Sequence, residues 1–78
     1  MNRIRKKELR EIADQLEDLK DALETVKGEE EDARGNTPEN LQGSERYEAA
    51  EEAVSNMEDA ISSMEDAISS IEEAIGEG

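Results

Sequence analysis

Residues 55–75 read SNMEDAI SSMEDAI SSIEEAI, one seven-residue phrase written three times with conservative drift. Seven residues are close to two turns of α-helix, so each phrase returns its apolar residues to the same side of the rod. Extending the period in both directions gives Tyr47, Ala50, Val54, Met57, Ile61, Met64, Ile68, Ile71 and Ile75, spaced three and four residues apart without a fault. Ala53, Ala60, Ala67 and Ala74 form a second column beside it, again seven apart, which widens the apolar stripe. Ser, Glu and Asp take the remaining positions. The phrase is a packing device, and it predicts a helix over about 44–76 that ends at Gly76.

The N-terminal segment carries the same signal. Leu9, Ile12, Leu16, Leu19, Leu23 and Val26 follow a 3-4 spacing within a sequence rich in the helix formers Leu, Glu, Lys and Arg. Gly28 interrupts this helix at a cost of about 1 kcal/mol, and EEEDAR then resumes helical character. The pair Gly35-Asn36 is the better stop, because either residue tolerates the left-handed conformation common just past a helix end. The first helix is therefore expected over about 3–34. Between the two lies the linker GNTPENLQG, residues 35–43. Its Thr37-Pro38-Glu39 has the chemistry of a short helical turn, and Ser44 is placed to cap the second helix.

These elements predict an all-α fold, an antiparallel two-helix coiled-coil hairpin forming one domain over 1–78. Matching the seams outward from the linker sets Val26 near Val54, Leu23 near Met57, Leu19 near Ile61, Leu16 near Met64, Ile12 near Ile68 and Leu9 near Ile71. A first helix ending at Gly28 would slip this register by one heptad and set Ile71 and Ile75 against Asn2 and Arg5. A hairpin leaves one flank of each seam open to water, so the pattern predicts assembly into a four-helix bundle or a higher homo-oligomer. The homodimer or higher even oligomer would be joined through Leu9, Ile12, Leu16, Leu19, Leu23, Val54, Met57, Ile61, Met64, Ile68 and Ile71. A lone hairpin is the alternative.

Composition narrows the chemistry. The 78 residues include no histidine and no cysteine, which removes the commonest general base, thiolate nucleophiles and the usual transition-metal ligands. The carboxylate pairs Glu58-Asp59, Glu65-Asp66 and Glu72-Glu73 sit about 100° apart around a helix rather than converging on a pocket. The run Glu29-Glu30-Glu31-Asp32 lacks the spacing of a calcium loop. No enzyme activity, cofactor or metal site is expected. The formal net charge of −14 disfavours direct nucleic-acid binding and adhesion to an anionic membrane. No apolar run approaches the ~20 residues of a membrane span, and the basic start MNRIRKKELR has no apolar region behind it as a secretory signal would.

Charge is unevenly spread. Arg3, Arg5, Lys6, Lys7 and Arg10 gather at the start of the first helix, whereas ten acids and no base follow Arg46. An antiparallel hairpin lays the basic start against the acidic end around Glu65, Asp66, Glu72 and Glu73. That pairing accounts for the cluster unless it also binds an anion. The linker holds more than a turn needs. Arg34, Asn40, Gln42, Ser44, Arg46 and Tyr47 supply two guanidinium groups, amides, a hydroxyl and the chain's one aromatic ring. Helix N-termini near 38 and 45 add free N–H groups that suit phosphate, and Tyr47 can stack on a base. In the simpler reading Leu41 and Tyr47 plug the end of the bundle while Arg34 and Arg46 pair with Glu39 and Glu45.

The stretches MNRIRKKE and NTPENLQGSER (36–46), followed by repeats to Ile75, resemble a group of small acidic helical proteins encoded by bacteriophages and prophages. Those proteins have a basic start, a heptad helix, a linker of the form N-x-P-E-x-L-Q-x-S-E-R and a repetitive E-x-A-I helix. The resemblance implies a non-catalytic accessory protein in the cytoplasm of an infected or lysogenic bacterial cell. Phage proteins of this size often inhibit host defence. They do so by sequestering a nucleotide signal between subunits or by covering a host protein. The first mode makes Arg34, Asn40, Gln42, Ser44, Arg46 and Tyr47, or Arg3, Arg5 and Lys6 at the basic start, the ligand-binding candidates. The second makes the acidic bundle the binding surface for a basic host protein, as a nucleic-acid mimic would be. A purely structural coiled-coil module is the third reading.

Overall fold

The computed structural model describes residues 1–41 and 43–76. Its elements run α1 (Arg3–Gly35), a 3-10 turn (Glu39–Leu41) and α2 (Glu45–Ile75). The two helices pack along their length as a hairpin, an elongated body of 59 × 17 × 14 Å. Among the described residues no helix is long and apolar enough to cross a membrane.

The helix ends follow from local chemistry. Asn2 caps α1, its Oδ1 accepting the Arg5 N–H at 2.9 Å. Ser44 caps α2 in the same way, its Oγ accepting the Tyr47 N–H at 3.2 Å. At the far end of α2, Gly76 adopts a left-handed backbone with φ 67°, the conformation that glycine reaches without a Cβ penalty. The end of α1 is made differently from expectation. Neither Gly35 nor Asn36 is left-handed, and Asn36 has φ −90° and ψ 0°. Instead the Asn36 N–H donates to the Asp32 carbonyl and the Thr37 N–H to the Arg34 carbonyl, each at 3.1 Å. Thr37 Oγ1 also donates back to the Ala33 carbonyl at 3.3 Å. These bonds satisfy the last carbonyls, so a left-handed residue is unnecessary. Gly28 lies inside α1 without breaking it.

The core belongs mostly to α2. Val54, Ile61, Ile68 and Ile75 are buried, and Tyr47, Ala50, Met57, Met64 and Ile71 are half-buried, so its seam has the expected phase. In α1 the residues turned inward are Leu9, Ala13, Leu16, Lys20, Leu23 and Lys27, of which Ala13 alone is buried and the others half-buried. Ile12, Leu19 and Val26 are 46%, 59% and 51% exposed, and Ile4 is 69% exposed. The matched-seam pairing of Ile12, Leu19 and Val26 with α2 is therefore corrected. Both seams of α1 share the column Leu9, Leu16, Leu23, and the structure couples it to the Ala–Lys column instead.

Lysine chemistry explains the choice. The Lys20 side chain is only 15% exposed, its stem lying in the seam with the ammonium at the edge. There it meets Glu17 at 3.5 Å and Glu24 at 4.0 Å, and Lys27 meets Glu31 at 3.8 Å. Desolvation in the seam opposes the Lys20 charge, but Glu17, with Glu65 across on α2 and Glu24, outweighs it and holds the pKa above the usual lysine value. Small Ala13 lets the helices approach at the next layer.

Register moves with this rotation. Lys20 senses Glu65, Ala13 shares a cleft with Glu72 and Ile75, and Glu24 and Lys27 share one with Glu58 and Ile61. These α1 residues thus lie roughly one and a half to two helical turns further along α2 than the matched seams require.

Candidate functional site

The bend of the hairpin encloses a cleft of about 500 Å³. From α1 it takes Glu30, Ala33 and Arg34, from the connection Thr37, Pro38, Leu41 and Ser44, and from α2 Arg46, Tyr47 and Ala50. Local structure places each group. The Asn36 and Thr37 bonds end α1 just after Arg34, which is left among the residues lining the cleft. The 3-10 turn is closed by the Leu41 N–H donating to the Pro38 carbonyl at 2.8 Å, and the Ser44 N–H then donates to the Leu41 carbonyl at 3.1 Å. The chain thereby reverses within a few residues and delivers Arg46 and Tyr47 opposite Arg34.

Four of the sequence candidates meet here: Arg34, Ser44, Arg46 and Tyr47. Asn40 lies exposed in the 3-10 turn, outside the cleft lining. Gln42 falls outside the described residues. Arg3, Arg5 and Lys6 open α1 at the other end of the 59 Å hairpin, so within one chain they cannot share a small ligand with the bend. Ala33 and Ala50 line the cleft without having been singled out. Their heptad phase put them at this end of the stripe, but small apolar residues carry no chemical signal of a site.

The electrostatics of the cleft are mixed. Among the described residues neither Arg34 nor Arg46 is held in an ion pair, so the expected Arg46–Glu45 pairing is absent. The half-buried Glu30 contributes a carboxylate to the lining, and Glu45 and Glu48 stand in the first turn of α2. Ser44 Oγ occupies the Tyr47 N–H, while the first N–H groups of α2, those of Glu45 and Arg46, have no acceptor within the helix. Tyr47 is half-buried, and the aliphatic residues of the lining are Ala33, Pro38, Leu41 and Ala50. The arrangement offers two cationic arms, a ring face and a hydroxyl around a partly apolar floor. That suits an anionic molecule with a flat portion. It offers no nucleophile–base pair.

Two further clefts lie along the helix pair, and both are polar grooves on one flank. One is lined by Glu24, Lys27, Glu58, Ile61, Ser62 and Glu65, the other by Arg10, Ala13, Asp14, Glu72 and Ile75. Among the described residues no three carboxylates converge as a metal site requires. No family model, curated protein or solved structure matches the chain.

Proposed function

We propose that the protein is a non-catalytic, homo-oligomeric accessory protein of phage type that binds and sequesters a small anionic ligand of nucleotide class in the bend of the hairpin. The observation that carries this reading is the convergence of Arg34, Arg46, Ser44 and Tyr47 on one cleft. A reversal of chain direction needs Ser44 as the cap of α2 but neither arginine nor the tyrosine ring. Two guanidinium groups match phosphate oxygens in a planar, bidentate way that lysine does not. A tyrosine face beside them accommodates a base. The resemblance of residues 1–8 and 36–46 to phage proteins supports the accessory role, and with it a place in the bacterial cytoplasm.

The test is thermal unfolding with a panel of mono-, di- and cyclic nucleotides at physiological salt. A ligand that binds only the folded chain raises the melting temperature by mass action. The rise is expected with wild type and lost in Arg46→Ala and Arg34→Ala. An unmoved melting temperature across the panel would overturn the reading.

One observation favours a second reading. Glu51, Glu58, Glu65 and Glu72 repeat at seven-residue intervals along one exposed flank of α2, and the chain carries −14 overall. A basic host protein recovered from lysate and eluted by high salt, with no nucleotide effect, would replace ligand binding by this acidic-surface mode.

A further inference from the structure

The hairpin has two unlike sides. In α1, Arg10, Glu17 and Glu24 each follow a Leu of the inner column, while Ile12, Leu19 and Val26 each precede Ala13, Lys20 and Lys27. The two sets therefore lie on opposite flanks of the seam. In α2, Glu58, Glu65 and Glu72 follow Met57, Met64 and Ile71, while Ala53, Ala60, Ala67 and Ala74 precede the buried Val54, Ile61, Ile68 and Ile75. Glu24 shares a groove with Glu58 and Glu65, and Arg10 shares one with Glu72. These glutamate flanks thus face the same way, and the aliphatic flanks must share the opposite side. That side carries Ile12, Leu19 and Val26 beside the alanine column, bordered over its middle by the uncharged Gln15, Ala22, Asn56, Ser63 and Ser70 and, in the same α1 column, by Glu8 and Glu29 towards its ends.

We infer that this aliphatic side is the surface on which a second copy of the chain docks, closing a four-helix bundle with the glutamate sides outward. The inference rests on the self-association in the proposed function and assigns it a face. Three observations argue for a second copy. First, the buried apolar residues among those described are Ala13, Val54, Ile61, Ile68 and Ile75, none of them fully closed from water, a small core for a 78-residue chain to stand alone. Second, the side on which these columns lie belongs to a body of 59 × 17 × 14 Å, which sets an upper limit of about 1,000 Å² per copy and leaves room for the roughly 800 Å² per partner of a specific interface. Third, charge selects the side. Two chains of −14 can approach at close range only where acids are sparse, and the stretch of this flank between Glu8 and Glu29 is that place. Column sizes fit as well. A two-fold axis along the bundle lays the bulky Ile12–Leu19–Val26 column of each copy on the alanine column of the other, large against small.

The assignment also divides the interface expected from the heptads. Leu9, Leu16, Leu23, Val54, Ile61 and Ile68 serve within the hairpin, and Ile12, Leu19 and Val26 serve between copies.

Sedimentation equilibrium of the full chain tests this without any ligand. Twice the chain mass is expected for wild type, with a melting temperature that rises with protein concentration. Leu19→Glu, which sits on the aliphatic side, should weaken association at least tenfold. Glu58→Gln, on the opposite side, should leave it unchanged. If Leu19→Glu proves unfolded at low concentration, the concentration dependence of the wild-type melting temperature decides alone. A single-chain mass and a concentration-independent melting temperature for wild type would overturn the inference, as would an assembly that persists in Leu19→Glu. A dimer that binds no nucleotide leaves this interface standing and removes the ligand reading. A monomer that binds one does the reverse.

Discussion

The two helices use the same heptad language to different ends. α2 has one broad apolar stripe, and every large residue in it is covered at least in part, with Val54, Ile61, Ile68 and Ile75 buried and Tyr47, Met57, Met64 and Ile71 half-buried. α1 has an inner column of Leu9, Leu16 and Leu23 and, rotated to one side, an outer column of Ile12, Leu19 and Val26 that α2 does not cover. The difference teaches that apolar periodicity counts columns and not partners. A helix pair has room for two columns per helix, and in α1 the second place goes to Ala13, Lys20 and Lys27. Lysine wins it because its stem is as good a seam filler as a short aliphatic chain and its ammonium finds the glutamates. The spare column is then left for association.

The sharpest way to break this comparison is to cut a buried α2 residue. Ile61→Ala should cost about 2–4 kcal/mol in chemical denaturation at every protein concentration. Ile12→Ala should instead act through association, with a loss that grows where the wild type is assembled. Equal, concentration-independent losses would erase the distinction between inner and outer columns. At the bend, Arg46→Ala should lower nucleotide affinity at least tenfold, about 1.4 kcal/mol, with helical content unchanged by circular dichroism. A fall in helicity would make Arg46 a cap of the bundle and not a ligand.

Smaller effects sharpen the account of α1. A Cβ at Gly28 meets no other atom within 4 Å, and the residue lies in mid-helix. Gly28→Ala should therefore stabilise by about 1 kcal/mol in thermal unfolding. No gain would mean that the helix is broken there. The smallest effect concerns Lys20, whose pKa is raised in the folded chain. A raised value means that its contribution is complete below the unfolded value near 10.5 and is lost as pH climbs through the higher folded one. The stability difference between wild type and Lys20→Met should accordingly be flat through neutral pH and change only above about pH 10.5. A change near neutrality would remove Lys20 from the seam.

Much of the architecture was readable from residues alone. The repeat at 55–75 phases α2 correctly because its seam has no competing apolar column of large residues. Ser44 announces the start of α2 and Gly76 its end through backbone chemistry that needs no tertiary context. The rotation of α1 was not readable, because hydrophobicity ranks Ile12 above Ala13 and Leu19 above Lys20. Only the glutamates around Lys20 reverse that order, Glu17 and Glu24 on α1 with Glu65 on α2, and the place of Glu65 depends on the register. The register in turn was set by equating large residues with partners, and it slipped by roughly one and a half to two turns once Ala13 and Lys20 took the seam. At the bend, Arg34, Ser44, Arg46 and Tyr47 were recognisable as too rich for a turn. The aliphatic floor of Ala33, Pro38, Leu41 and Ala50 became visible only when the chain reversed. The distance between the bend and Arg3, Arg5 and Lys6 likewise follows from the hairpin and not from composition.

The arrangement of α1 is best tested by methyl-to-methyl NMR contacts on isotope-labelled protein. The account predicts cross-peaks between Ala13 and Ile75, which share a cleft in the fold, and none within a chain between Ile12 and Ile68. Strong contacts of Ile12 with Ile68 and of Leu19 with Ile61 in a single chain would contradict it.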